Sequence, residues 1–313
     1  MKAVDKNKFK GGIFGLLIGD ALGVPYEFCK PEEISNIDKI EYEPPEGFEK
    51  SYDVPSGTWS DDGAQALCLL ESLITKKLFD IYDFAERLRK WADEGLWAVD
   101  NIVFDIGSQT RSALLSYERG ESPLKSGLIY PNGKGNGALM RVLPLALWHK
   151  GTDKELVKDA HKQCLITHGH ICNQVCCAFY CLVVRELLYN NSFFQSAYEN
   201  ALAKIRTIYS DTPEYKQELE LNIFSHDIIE GKGTGYVVDC LKSAFMVINQ
   251  SNSYEEVVKK AISLGNDTDT TAAVAGGLAG VIYGYKNIPT RWINGLRNKE
   301  AVEILLESYK IYE

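Results

Sequence analysis

Small residues recur at every fourth position twice in this chain, as Gly11, Gly15, Gly19 and Gly23 and again as Ala272, Gly276, Gly280 and Gly284. That spacing puts each set on one face of a helix. Glycine inside a helix costs roughly 1 kcal/mol relative to alanine, so such a stripe needs a compensating gain, which the close approach of two helices supplies. Both segments are expected to be central, tightly packed helices, with any chemistry at their ends.

The rest of the chain also reads as helical. Asp80 is placed to cap a helix over 81–92, and Thr152 with Glu155 forms a capping box that opens a helix towards Leu165. Ser253 with Glu256 forms a second box, ahead of Val257, Val258 and Ile262. The exception is 39–59, where Pro44, Pro45, Gly47, Pro55 and Gly57 predict a long loop with at most a short hairpin. No linker or low-complexity run divides the 313 residues, so a single all-α domain over 1–313 is expected.

A net charge of −9 disfavours non-specific nucleic-acid binding, which needs surplus Lys and Arg against phosphate. Lys2, Lys6, Lys8 and Lys10 precede an apolar run, but Asp20 and Glu27 spoil a secretory reading. No apolar run of about 18 residues is expected to span a bilayer. A cytoplasmic location follows as an expectation. Cys172, Cys176, Cys177 and Cys181 share largely one helical face, and buried free cysteine behaves as a small hydrophobe. The sharper alternative is zinc held with His168 and His170, although thiolate zinc sites usually come as paired CxxC motifs.

Carboxylates crowd two expected helix starts, Ser60-Asp61-Asp62 and Asn266-Asp267-Thr268-Asp269-Thr270. One Asp suffices to cap a helix. Neighbouring carboxylates repel one another unless solvent or a cation neutralises them. Hard oxygen donors without His or Cys point to magnesium, manganese or calcium.

These residues fall within motifs that run in order through most of the chain: GGIFGLLIGDALGVPYE (11–27), WSDDGA (59–64), FDIGSQT (104–110), GNGALMRVLP (135–144), Thr167-His168, GTGYVVD (233–239) and GNDTDTTAAVAGGLAG (265–280). Together they resemble the ADP-ribosylglycohydrolase family; 190–230 is the least matched stretch. The resemblance implies an orthogonal bundle of about a dozen helices around a dinuclear metal cleft with two Mg²⁺ or Mn²⁺ ions. The implied reaction is hydrolysis of an N- or O-glycosidic bond at C1″ of ADP-ribose. Ser60, Asp61 and Asp62 match one half of the metal cage, and Asp267, Asp269 and Thr270 the other. The family's first motif is usually Thr-Asp-Asp-Thr, so Gly63 lacks a hydroxyl here.

By the same resemblance, Asp62 and Asp269 grip metal and steer water, and Glu27 serves as acid or base. Gly135, Asn136, Gly137 and Ala138 offer backbone amides to the diphosphate, ahead of an apolar run whose helix dipole would favour an anion. His168 and Tyr236 are candidate contacts for the distal nucleotide. Phe104-Asp105-Ile106-Gly107 resembles the branch that includes the dinitrogenase reductase-activating glycohydrolase, which implies an arginine acceptor with Asp105 in catalysis; on the bland reading Asp105 caps the next helix. The partner is then an ADP-ribosylated protein or a small ADP-ribose conjugate. Serine, O-acetyl-ADP-ribose and nucleobase linkages, or a non-catalytic binder, stand as alternatives.

Overall fold

The computed structural model describes residues 5–34, 36–190, 193–224 and 230–308. The helices in order are α1 (Lys6–Gly23), α2 (Asp61–Lys76), α3 (Ile81–Glu94), α4 (Ser108–Glu118), α5 (Leu143–Trp148), α6 (Asp153–Leu165), α7 (Ile171–Asn190), α8 (Phe194–Ile208), α9 (Pro213–Gln217), α10 (Val237–Asn249), α11 (Tyr254–Ser263), α12 (Thr268–Tyr283), α13 (Thr290–Gly295) and α14 (Lys299–Ser308). Among the described residues there is no strand, only an isolated bridge between Gly135 and Tyr236. The all-α expectation holds.

α1 and α12 lie face to face and antiparallel, because the two small-residue stripes interlock. A β-carbon on Gly11 would strike the Gly280 carbonyl, one on Gly15 that of Gly276, and one on Gly19 that of Ala272. At the end of the run, Gly23 lies against the backbone of Asp269. The C-terminus of α1 therefore meets the N-terminus of α12. Gly284 departs from the expected stripe: it lies just beyond α12 with φ +79°, as a chain-reversing residue and not an interior helical one. Tyr254 of α11 and Tyr180 of α7 fasten this pair through their hydroxyls, which donate to Gly15 O at 2.8 Å and Val274 O at 3.0 Å.

Local signals set several helix starts. Asp80 accepts from the amides of Tyr82 and Asp83, and Thr152 and Glu155 complete their reciprocal box. Ser253 makes its half of the second box, whereas Glu256 reaches the Asn252 amide, one residue early. The stretch 39–59 has no hairpin. Buried Ile40, Tyr42 and Trp59 fasten it to the helices, with the Tyr42 hydroxyl donating to Trp292 O at 2.9 Å.

α7 corrects one expectation, since it is long and apolar enough to cross a bilayer by length and composition. Its most apolar window is 94% buried inside the protein. Its polar side chains are held internally: Asn173 donates to Gly135 O, Gln174 to Gly169 O, and Arg185 to Asp153. These features make it a core helix of this bundle. Cys172, Cys176, Cys177 and Cys181 are fully buried free thiols on it, as the apolar reading expects.

Candidate active site

The α1–α12 crossing brings three helix ends together. Beyond α1 a short turn, Val24–Tyr26, delivers Glu27, which is buried beside Asp269 in the first turn of α12. Asp105, from the segment before α4, completes a group in which carboxylate oxygens of Glu27, Asp105 and Asp269 lie within 4.8 Å of one another. α2 is aimed at the same place by Asp20, a carboxylate in the last turn of apolar α1, which accepts from the amides of Ser60 at 2.9 Å and Gly63 at 2.7 Å. Such a bond satisfies free amides at a helix start and meets the positive end of its dipole. Asp62 then reaches across to α12, where Thr270 Oγ1 donates to its Oδ2 at 3.3 Å.

Capping does not account for these carboxylates. Asp267 sits at the cap position of α12 without making a capping bond; its Oδ2 instead accepts from Asn136 Nδ2 at 2.8 Å. Asp105 does not cap α4 either, because Gly107 holds that position without a side-chain bond. Ser60 does cap α2, through the Asp62 amide. Asp61 accepts from Gln65 Nε2 at 2.9 Å.

Three buried carboxylate oxygens, Glu27 Oε2, Asp62 Oδ1 and Asp269 Oδ2, have no hydrogen-bond partner. Each orphan is costly in a protein interior unless a cation satisfies it. Burial, reinforced by the neighbouring carboxylates, pushes Asp61, Asp62 and Asp269 well above the usual range. Burial and the Asp105 and Asp267 charges raise Glu27 to about 9, and burial takes Asp20 to about 7 despite its amide bonds. The Tyr52 hydroxyl near Glu27 and Asp105 offsets part of their rise. Crowded hard oxygens with unshared lone pairs fit a divalent Mg²⁺-like cation.

Beside this centre, the Gly135–Ala138 turn is fixed by the Asn136 amide donating to Gly235 O at 3.0 Å and by the Asn136–Asp267 contact. The expected helix dipole behind it is missing, because α5 starts only at Leu143 and runs six residues. Pro144 favours a helix start at that point and not earlier. Tyr236 is half exposed opposite Gly135, and buried His168 packs beneath Gly135 and Gly137. His168 is thus turned to the turn and not to the cysteines. His170, Cys172 and Glu218 do come together, but His170 Nδ1 accepts the Cys172 amide at 3.1 Å, which spends the lone pair of a neutral ring. Gly63 fills a tight spot, where a β-carbon would lie 2.8 Å from Leu17 Cδ2 and 2.9 Å from Trp59 Cδ1. Sequence reasoning missed Asp20 and Tyr52. A lone carboxylate inside the apolar run of α1 was the available signal for Asp20; Tyr52 gave none.

The ADP-ribosylglycohydrolase family profile matches residues 1–313. The chain belongs to the ADP-ribosylglycohydrolase family. It is 30% identical over 308 residues to an ADP-ribosylarginine hydrolase Tri1 of Serratia proteamaculans, covering 96% of this chain and 78% of that protein. It is 27% identical to the ADP-ribosyl-[dinitrogen reductase] glycohydrolase of Rhodospirillum rubrum, covering 94% and 92% of the two chains. A solved structure titled ADP-ribosylglycohydrolase-related protein complex superposes with a TM-score of 0.72 at 29% identity, covering 98% of each chain. This family member is a glycosidase of ADP-ribosyl linkages, from a metal-dependent family, and it carries a candidate carboxylate site for a metal.

Proposed function

We propose that this glycohydrolase cleaves the bond between ADP-ribose and an arginine side chain, using two Mg²⁺ or Mn²⁺ ions held by Ser60, Asp61, Asp62, Asp267, Asp269 and Thr270. The observation that carries the reading is the Glu27–Asp105–Asp269 cluster, in which Glu27 and Asp269 are buried with unpartnered oxygens, beside Asp62 across from Thr270. Arginine is supported by the ADP-ribosylarginine hydrolase relative and by the chemistry of Asp105. A guanidinium presents a planar fork of N–H donors that one carboxylate accepts in pairs, whereas a serine oxygen offers none.

When bound, the divalent ions supply positive charge that orients the ribose hydroxyls and lowers the pKa of water in the cleft. Asp105 holds the guanidinium of the leaving group. Glu27, beside Asp269, takes the proton that the attacking water loses and passes it to the guanidine as the C1″–N bond breaks. Water adds at C1″ as the ribose develops oxocarbenium character. Asp62 and Asp269 steer that water while gripping metal. The diphosphate lies over the Gly135, Asn136, Gly137 and Ala138 amides, with His168 and Tyr236 towards the distal nucleotide.

The test is release of free ADP-ribose from defined arginine-, serine- and nucleobase-linked substrates and from O-acetyl-ADP-ribose. Turnover confined to the arginine conjugate is expected. Cleavage of the serine conjugate with none of the arginine conjugate contradicts the acceptor assignment. Absence of any thermal shift with Mg²⁺ and ADP-ribose contradicts the enzyme reading altogether.

A further inference from the structure

Arg141 is fully buried between the two halves of the cleft and reaches both. Its Nη1 donates to Gln65 Oε1 at 2.8 Å, and Gln65 Nε2 donates in turn to Asp61 Oδ2 at 2.9 Å. Its Nη2 donates to Thr167 Oγ1, also at 2.8 Å, and that oxygen lies 2.8 Å from His168 Nδ1. Further bonds to Gln163 and the ring of Phe84 hold the guanidinium in place.

The direction of every bond in this chain follows from one fact: a guanidinium only donates. Gln65 must therefore turn its oxygen to Arg141, which leaves its NH₂ facing the Asp61 carboxylate. Thr167 must likewise accept from Arg141, so its own hydrogen is left for His168. A buried hydroxyl hydrogen without an acceptor is costly, which selects the arrangement in which His168 Nδ1 accepts. The ring proton then sits on Nε2. That nitrogen lies under the Gly135–Gly137 turn, 3.4 Å and 3.0 Å from where β-carbons on Gly135 and Gly137 would stand.

We infer that Arg141 is a positioning residue for both halves of the site: through Thr167 it fixes His168 as the Nε2–H tautomer, an uncharged donor beneath the Gly135–Gly137 turn, and through Gln65 it orients Asp61. His168 Nε2 faces the Gly135–Gly137 turn that the proposed function gives to ADP-ribose, and that clause rests on the proposed function. Burial, with the Arg141 charge beside it, pushes His168 down to about 3, so the ring stays neutral over the working range.

Ring-¹⁵N-histidine labelling tests this, with the His168 signals assigned through a His168→Asn variant. Wild-type protein and Thr167→Ser, which keeps the hydroxyl, are expected to show a protonated Nε2 and an unprotonated Nδ1. Thr167→Val, nearly the same shape without the hydroxyl, is expected to lose this signature. Its Kd for ADP-ribose, measured calorimetrically with Mg²⁺, is expected to rise about tenfold while Thr167→Ser stays close to wild type. A proton on Nδ1 in wild-type protein overturns the inference, even if Thr167→Val fails to fold. So does a Thr167→Val protein that keeps both tautomer and affinity. If wild-type protein binds no ADP-ribose, the proposed function fails, and the tautomer measurement still decides the relay.

Discussion

Asp105 and Asn differ by one charge and almost nothing in shape, which makes Asp105→Asn the informative change at the residue scale. Hydrolysis of ADP-ribosyl-arginine is expected to fall by about two orders of magnitude or more, with ADP-ribose affinity and thermal stability kept. Wild-type turnover by that variant removes Asp105 from the mechanism. Gly63 carries a second prediction. Gly63→Thr restores the residue usual for the family motif, yet its β-carbon would press on Leu17 and Trp59, so a loss of about 1–3 kcal/mol in denaturant unfolding is expected. An unchanged midpoint would show that Trp59 moves aside freely. Asp61, Asp62, Asp267 and Asp269 were legible in the sequence because adjacent carboxylates are hard to explain by capping alone. Asp20, Tyr52 and Arg141 were not, because Ser60, Glu27 and Gln65 lie 40, 25 and 76 residues from them, and only packing brings these residues together.

Among the elements, the α1–α12 pair decides the geometry of the site. Helix propensity alone predicts that Gly15→Ala stabilises α1 by roughly 1 kcal/mol. The Gly276 carbonyl stands where the new methyl would go, so the opposite sign is expected, a destabilisation of at least about 2 kcal/mol by equilibrium denaturation. Activity is expected to suffer with it, because the same crossing seats Glu27 beside Asp269. A stabilised Gly15→Ala protein contradicts that account of the crossing. The four-residue spacing made two central, tightly packed helices readable, but not that each packs on the other. Two further features were not readable: the late start of α5, which Pro144 sets, and the burial of α7, whose apolar composition alone cannot distinguish a core helix from a membrane span.

The whole molecule concentrates buried acid at one point, and its stability is expected to respond to pH and metal together. Asp20 and Glu27 have folded-state values raised to about 7 and about 9, so the stability they contribute is present below their unfolded values near 4 and is lost as pH rises through those raised values. Asp153 and Asp159, held low by Lys, Arg and His partners, act in the opposite direction in acid, so a single pH profile mixes both effects. The difference in Tm between Mg²⁺-loaded and metal-free protein isolates the cluster, and it is expected to widen from about pH 5 to about pH 9. A constant difference would mean that cation and protons do not compete for these oxygens. The most direct measurement of the central claim is ADP-ribose release from an arginine conjugate by metal-stripped protein, before and after adding back ions. The account predicts no turnover in chelator, recovery with Mg²⁺ or Mn²⁺, poor recovery with Zn²⁺, and no recovery for Asp61→Ala or Asp269→Ala; full activity in excess chelator would contradict it.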